Sequence, residues 1–166
     1  MAARHLRPLI TLLVGVVLAG GLLQPVTVLQ AGTDDGDLLT CRHVSAGAPV
    51  TLIFTHSMYG GEVRERWRVV GDGLVRERIV AERAAAAEYY ASDGAVEQME
   101  DGFVVVAPPL AIEAPTVRVD QTGQHRLRFD DGGEVSLAEQ VEGSAPVVIE
   151  IRQRTLMQQM LGGCGA

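Results

Sequence analysis

Residues 62–81 read EVRERWRVVGDGLVRERIVA, and the reading of the fold starts from them. Two runs rich in Val, Ile, Leu and Arg flank Gly71-Asp72-Gly73. In the first run Val63, Glu65, Trp67 and Val69 share one face, and Arg64, Arg66 and Arg68 share the other. A period of two is the signature of a half-buried strand, not of a helix. The Gly-Asp-Gly between the runs is a hairpin signal. Two registers compete. A three-residue loop Gly71–Gly73 pairs Val69 with Val75, gathers Val63, Trp67, Val75 and Ile79 on one face, and stacks Arg66 on Arg78. A two-residue Gly71-Asp72 turn pairs Arg66 with Glu77 and Glu65 with Arg78, which splits the apolar set between the faces. Burying two apolar side chains is worth ~3–6 kcal/mol, against ~0.2–1 kcal/mol for an exposed cross-strand pair, so the first register is expected.

The same grammar extends in both directions. Strands are expected at 37–43, 49–57, 62–70, 73–81, 102–107, 115–120, 124–130, 133–138 and 146–154. Turn signals separate them, among them Gly47-Ala48-Pro49, Asp120-Gln121-Thr122-Gly123 and Asp130-Asp131-Gly132-Gly133. Short strands at this spacing, with no long helical pattern, predict an all-β domain. The expected form is an antiparallel β-sandwich or a partly open barrel of about eight or nine strands. The exception is 82–91, ERAAAAEYYA, which predicts two or three helical turns.

Upstream, the pattern changes. Arg4 and Arg7 precede an uncharged run from Pro8 to Thr33, most apolar over Leu9–Leu23. Extended through Val26–Leu29, the run reaches the ~20 residues that cross hydrocarbon. Arginines before it and Asp34, Asp35 and Asp37 after it put the N-terminus inside and the rest outside. The expected organisation is an anchor or signal segment over 1–30, a linker over 31–36, the all-β domain over 37–155 and a tail over 156–166. An uncleaved transmembrane helix in the bacterial cell membrane is favoured over a removed signal peptide, which would leave a secreted domain.

Composition narrows the function. All 14 basic residues are Arg, which removes lysine Schiff bases and the phosphate-loop lysine. Beyond Gln30 there are 12 Arg against 21 Asp and Glu, a difference of −9, so nucleic acid is not an expected partner. Cys41 and Cys164 stand at opposite ends of the domain. In an oxidising compartment they can form a disulfide; the alternative is two separate thiols. Neither they nor the scattered His5, His43, His56 and His125 show metal-ligand spacing, and no cofactor is expected. The motifs GxSxG, GxGxxG and HExxH are absent.

Two side chains break the apolar pattern. Glu65 shares its face with Trp67, and a carboxylate there needs a partner. His56 ends the row Val50, Leu52, Phe54, and a hairpin through Ser57–Gly61 can bring it to Glu65. Two readings stand: a hydrogen bond that closes the strand ends, or a ligand site of His56, Glu65, Tyr89 and Tyr90. Phe54 and Trp67 are read as structural.

Phe54-Thr55-His56-Ser57, then Glu62 to Val69, then Asp72-Gly73-Leu74 resemble the family of domain of unknown function 1850, small bacterial proteins with an N-terminal hydrophobic segment. The chain differs from that pattern at Gly60-Gly61, where a Pro is common, and at Ala84–Tyr90, where a Gly-rich stretch is common. The resemblance implies an accessory role beside tripartite ATP-independent periplasmic (TRAP) transporters, of the type whose solute-binding protein is called TAXI. The expected function is a non-catalytic extracytoplasmic interaction module, its partner a transporter subunit or that binding protein. The alternatives are a module binding a small carboxylate or amino acid, and a small hydrolase using His56.

Overall fold

The computed structural model describes residues 23–91, 94–155, 157–158 and 164. Its strands are β1 (Pro25–Thr33), β2 (Leu38–His43), β3 (Pro49–Thr55), β4 (Glu62–Val70), β5 (Gly73–Ala81), β6 (Ala95–Met99) and β7 (Gly102–Val106), followed by β8 (Leu110–Ile112), β9 (Thr116–Asp120), β10 (Arg126–Phe129), β11 (Glu134–Ser136) and β12 (Ser144–Thr155). Helix α1 (Ala84–Tyr90) lies between β5 and β6. One sheet runs β2-β1-β12-β9, and the other β11-β10-β3-β4-β5-β7-β6, with β8 paired to the start of β5. All pairings are antiparallel and neither sheet closes on itself, so the all-β sandwich is the form adopted.

The inner face of the large sheet is covered in two parts. Leu52, Trp67, Val69, Leu74 and Leu127 of that sheet pack against Leu29, Ala31, Val119, Val147 and Ile149 of the small one. Beyond the reach of the small sheet, Ala86 and Ala87 of α1 cover Val63, Ile79, Ala81 and Val105. Alanines favour the helix and keep it close to the strands. Phe54 touches both clusters and marks the seam between them.

The β4–β5 hairpin uses both registers. Val70 faces Gly73 and Val69 faces Leu74, so the turn is the two-residue Gly71-Asp72, with Gly71 at φ 61° in its first position. Positive φ there is what a II′ hairpin turn requires. The register then shifts between Arg66 and Trp67, leaving Glu77 unpaired as a bulge. Past the bulge Arg66 faces Arg78, as expected, and Glu65 faces Ile79. The expected pairing of Val69 with Val75 is not formed. A bulge exchanges the faces of the strand that carries it. Leu74 before it and Ile79 and Ala81 after it therefore all point inward, at 1%, 4% and 0% exposure. Neither uniform register could bury all three.

The other correction lies at the N-terminus. Residues 25–33 form β1, paired with β12 from Pro25↔Thr155 to Thr33↔Val147 and with β2 on its other edge. The segment given to the anchor therefore ends before residue 30, and 31–33 of the expected linker are strand. Leu29 and Ala31 enter the core, while Val28 packs on the opposite face with Cys41 and Cys164. A strand paired on both edges and covered on both faces reads as an unbroken apolar run, which periodicity does not separate from a helix. Of the segment 1–30 expected as an N-terminal helix, residues 1–22 lie outside the described residues and 25–30 are strand. Among the described residues no helix is long and apolar enough to cross a membrane.

On the outer face of the large sheet, arginines and carboxylates interleave. Arg126 and Arg64 meet Glu62, Arg66 and Arg68 meet Glu77, Arg128 meets Glu134 and Arg78 meets Asp101. This is a solvated face, where each pair contributes ~0–1 kcal/mol.

Candidate functional site

His56 is the first residue past β3. Its amide donates to the Gly61 carbonyl (3.0 Å) and its carbonyl accepts from the Gly60 amide (2.9 Å), which ties the loop at its neck. Gly60 and Gly61 have φ of 66° and 78°, and a β-carbon on Gly61 would lie 3.0 Å from Arg83 Cγ. Positive φ with so close a neighbour leaves glycine as the unstrained residue. The His56 ring is buried, and its Nδ1 accepts from the amides of Met58 and Tyr59, both at 3.2 Å. An acceptor Nδ1 in a neutral imidazole places the ring proton on Nε2.

The last turn of α1 delivers Tyr89 and Tyr90 to this ring. The His56 centroid is 5.1 Å from that of Tyr89 and 5.7 Å from that of Tyr90, both edge-on, and 5.0 Å from Tyr59. Tyr89 and Tyr90 meet each other at 5.2 Å and 88°. Burial, then Glu65, then Tyr89 push the Tyr90 phenol up to about 12.

A third wall comes from the crossing between the sheets. Asp120 ends β9 and its Oδ1 accepts from the Gly123 amide (2.6 Å), while the Gly123 carbonyl accepts from Thr55 (2.7 Å). His125 follows, buried and stacked on Phe54 at 5.3 Å and 9°. A β-carbon on Gly123 would come within 2.6 Å of His125 Nδ1, so the absent side chain makes room for the imidazole. Together these pieces bound a cleft of 220 Å³ between α1 and β9, with Phe54, His56, Tyr89, Tyr90, Arg118, Asp120 and His125 among its lining residues.

The structure thus brings together His56, Tyr89 and Tyr90 of the expected set, with Phe54 beside them. Glu65 is not among the lining residues, and the expected His56–Glu65 hydrogen bond is not formed. In the β3–β4 ladder Glu65 faces Leu52, four residues before His56, or about 13 Å along the strand. Its partner is Arg76 at 3.5 Å, which reaches it because Arg76 faces the neighbouring Trp67. Tyr59, Arg118, Asp120 and His125 were not singled out from the sequence. For His125 a signal existed: it shares parity with Leu127 and Phe129 in the expected strand 124–130. Arg118 and Asp120 carried none, because their relation to His56 depends on how the two sheets meet. Cys41 and Cys164 form a disulfide, with Cα atoms 4.7 Å apart. Among the described residues no group of three His, Cys, Asp or Glu is arranged to hold a metal ion.

Two predictions arise here. His56→Gln should lower stability by ~1–3 kcal/mol, because the glutamine oxygen lies one bond farther out than Nδ1 and the two loop amides lose an acceptor in place. Glu65→Gln should cost less, since Arg76 is partly solvated. A melting temperature unmoved in both variants, with binding abolished, would remove the structural role of these residues. The second concerns acid. Burial holds the His125 imidazole below its ordinary range, and Asp120 opposes that shift. The folded state therefore binds a proton less readily than the unfolded state. The stability involved is fully present above about pH 6.5, the unfolded value, and is lost as pH falls from there towards the folded value. His125→Gln should flatten the melting temperature between about pH 7 and about pH 5; parallel curves for the two proteins would exclude His125 as the cause.

The architecture defines a class: an antiparallel β-sandwich whose larger sheet is finished by a short helix, with an aromatic cleft at the seam. Residues 50–137, which are 88 of the 166, match the family described as domain of unknown function (DUF1850), and the chain belongs to it. The matched span runs from β3 to the end of β11, so it contains the cleft, while β1, β2 and β12 lie outside it. No curated protein and no solved structure matches the chain significantly.

Proposed function

We propose that this protein is a non-catalytic extracytoplasmic accessory module that serves a TRAP-type uptake system and meets its partner at the mouth of the aromatic cleft. The observation that carries the reading is the mouth of the cleft. Met58 and Tyr89 line it and are 69% and 59% exposed, and Tyr59, 39% exposed, packs its ring against the buried His56 and against Tyr89. Large amphipathic rings fixed in place are the side chains from which interface anchors are made. The transporter link rests only on what the sequence resemblance implies. The extracytoplasmic location is supported by the disulfide, since such bonds persist in oxidising compartments.

The start of β1 at Pro25 bears on the anchor. Pro8–Gln24, the apolar run left to the membrane, would be about 25 Å long as a helix, against ~30 Å of hydrocarbon. That is near the lower limit for a span and gives a cleaved signal more weight than a run to residue 30 would. Protease added to spheroplasts should degrade a tethered domain, and a cleaved one should leave with the periplasmic wash. A domain that stays with the cells and is fully protected would overturn the location. Purification of the tagged full chain from native membranes should recover a TRAP subunit or its solute-binding protein. Loss of both under every growth condition would sink the proposed role.

A further inference from the structure

The cleft has a charged side as well as an aromatic one. Arg118 and Asp120 lie two residues apart on the same side of β9, an edge strand of the small sheet, so their Cα atoms are about 6.6 Å apart. Asp120 uses Oδ1 for the Gly123 amide, and its other oxygen accepts no hydrogen bond from the described residues. Arg118 donates to Ser144 Oγ at 3.0 Å and takes part in none of the ion pairs among the described residues. The arginines of the large sheet's outer face, by contrast, are matched to carboxylates. A cation and an anion thus stand side by side with hydrogen-bonding capacity unspent.

The rings across the cleft set a second constraint. His56, Tyr89 and Tyr90 have centroids 5.1–5.7 Å apart and meet edge to face. Rings at that separation touch one another, so no cation fits among them and they are not an aromatic cage. They form a continuous wall with an apolar surface. The His56 Nε2–H adds a donor of fixed orientation, for which no protein acceptor exists among the described residues. At 220 Å³ the cleft is smaller than the ~300–1,000 Å³ of sites for drug-sized ligands, so its interior suits a small molecule and a protein partner meets only its mouth.

We infer that the cleft binds a free α-amino acid as its zwitterion. The carboxylate sits on Arg118, the ammonium on Asp120, and the side chain lies against the wall of His56, Tyr89 and Tyr90. The inference builds on the reading of the cleft as the working surface and is independent of the transporter link. A lone acid would leave Asp120 facing a like charge, and a lone amine would do the same to Arg118.

The test titrates the purified full-length chain with L-leucine and L-phenylalanine. The controls are the matching amines, 3-methylbutylamine and 2-phenylethylamine, and the matching acids, 4-methylpentanoate and 3-phenylpropanoate. Heat of binding and the shift in melting temperature are read for each. At least one amino acid should bind, and its amine and acid should each bind at least tenfold more weakly. Arg118→Met and Asp120→Asn should each weaken binding at least tenfold without moving the melting temperature of the ligand-free protein. Asparagine keeps an acceptor for the Gly123 amide, so the turn survives the change. Absence of binding by both amino acids, or an acid or amine that binds as tightly as its parent, would overturn the inference. The analogue series decides it even if a variant does not fold. Failure of the titration leaves co-purification with the transporter untouched, and failure of co-purification leaves the titration untouched.

Discussion

Trp67→Ala is expected to cost ~3–5 kcal/mol, the range for truncating a buried aromatic to a methyl group. Trp67 is the one tryptophan, is 1% exposed, and sits on β4 between Val50 and Arg76 of the flanking strands. Its cluster includes Leu29, Ile149 and Ile151 of the opposite sheet, so the cavity opens at the centre of the sandwich. A domain at the low end of the ~5–15 kcal/mol range would be left with only ~0–2 kcal/mol of stability. Trp67→Phe should behave differently. The indole Nε1 is buried without a hydrogen-bond partner among the described residues, and an unpaired buried donor costs ~1–3 kcal/mol. Phenylalanine removes that donor while giving up part of the ring volume. The two effects oppose, and the variant should fall within ~1 kcal/mol of the parent. Urea denaturation followed by far-ultraviolet circular dichroism reads both, since neither variant keeps the fluorophore. An unmoved midpoint for the alanine variant would show that Trp67 does not anchor the core.

The same residue shows why part of this fold is legible in the sequence. Strict alternation over 62–70 assigns Trp67 and Val69 inward and Arg66 and Arg68 outward, and the structure agrees. All nine expected strands occur, and so does the helix in 82–91. Each carries its own punctuation, so local grammar suffices. The β4–β5 register was only half legible, because the apolar positions of β5 change parity at Glu77. A search over uniform registers contains no bulge, and each uniform register explains one half of the hairpin.

What stayed hidden had no local signal. β1 merges with the apolar segment before it, since a central strand covered on both faces shows no alternation. β6 reads AVEQM and is exposed or half-exposed throughout, and β8 is three residues long. In the site, His56 with Tyr89 and Tyr90 was within reach because each stood out against its surroundings. Glu65 stood out equally, but its break in the pattern reported a pairing with Arg76 across the bulge. A carboxylate on an apolar face says that a partner exists and does not say which. Arg118 and Asp120 are ordinary strand residues until the seam between α1 and β9 gives them an aromatic wall to face.

Loss of the Cys41–Cys164 disulfide is expected to destabilise the domain by ~2–5 kcal/mol, the range for removing a native bridge from a small secreted domain. The two residues are 123 apart in sequence, so the bond constrains nearly the whole unfolded domain, and chain entropy alone places the effect near the upper end. A second contribution belongs to the folded state. The sulfurs cover Val28 on the outer face of the small sheet, and Gln30 Nε2 lies 3.5 Å from Cys41 Sγ and 4.0 Å from Cys164 Sγ. The two contributions separate experimentally. If the bond acts through the unfolded chain, Cys41→Ala/Cys164→Ala should lower the urea midpoint and raise the m-value, because the released chain exposes more surface when unfolded. If it acts by holding Cys164 against Val28 and Cys41 of β1 and β2, the midpoint should fall with m unchanged, and hydrogen exchange should rise at those strands while the β3–β4–β5 amides stay protected. Reductant added to the parent should reproduce the variant in either case. Identical urea curves for the oxidised, reduced and double-alanine proteins would show that the bridge carries no stability.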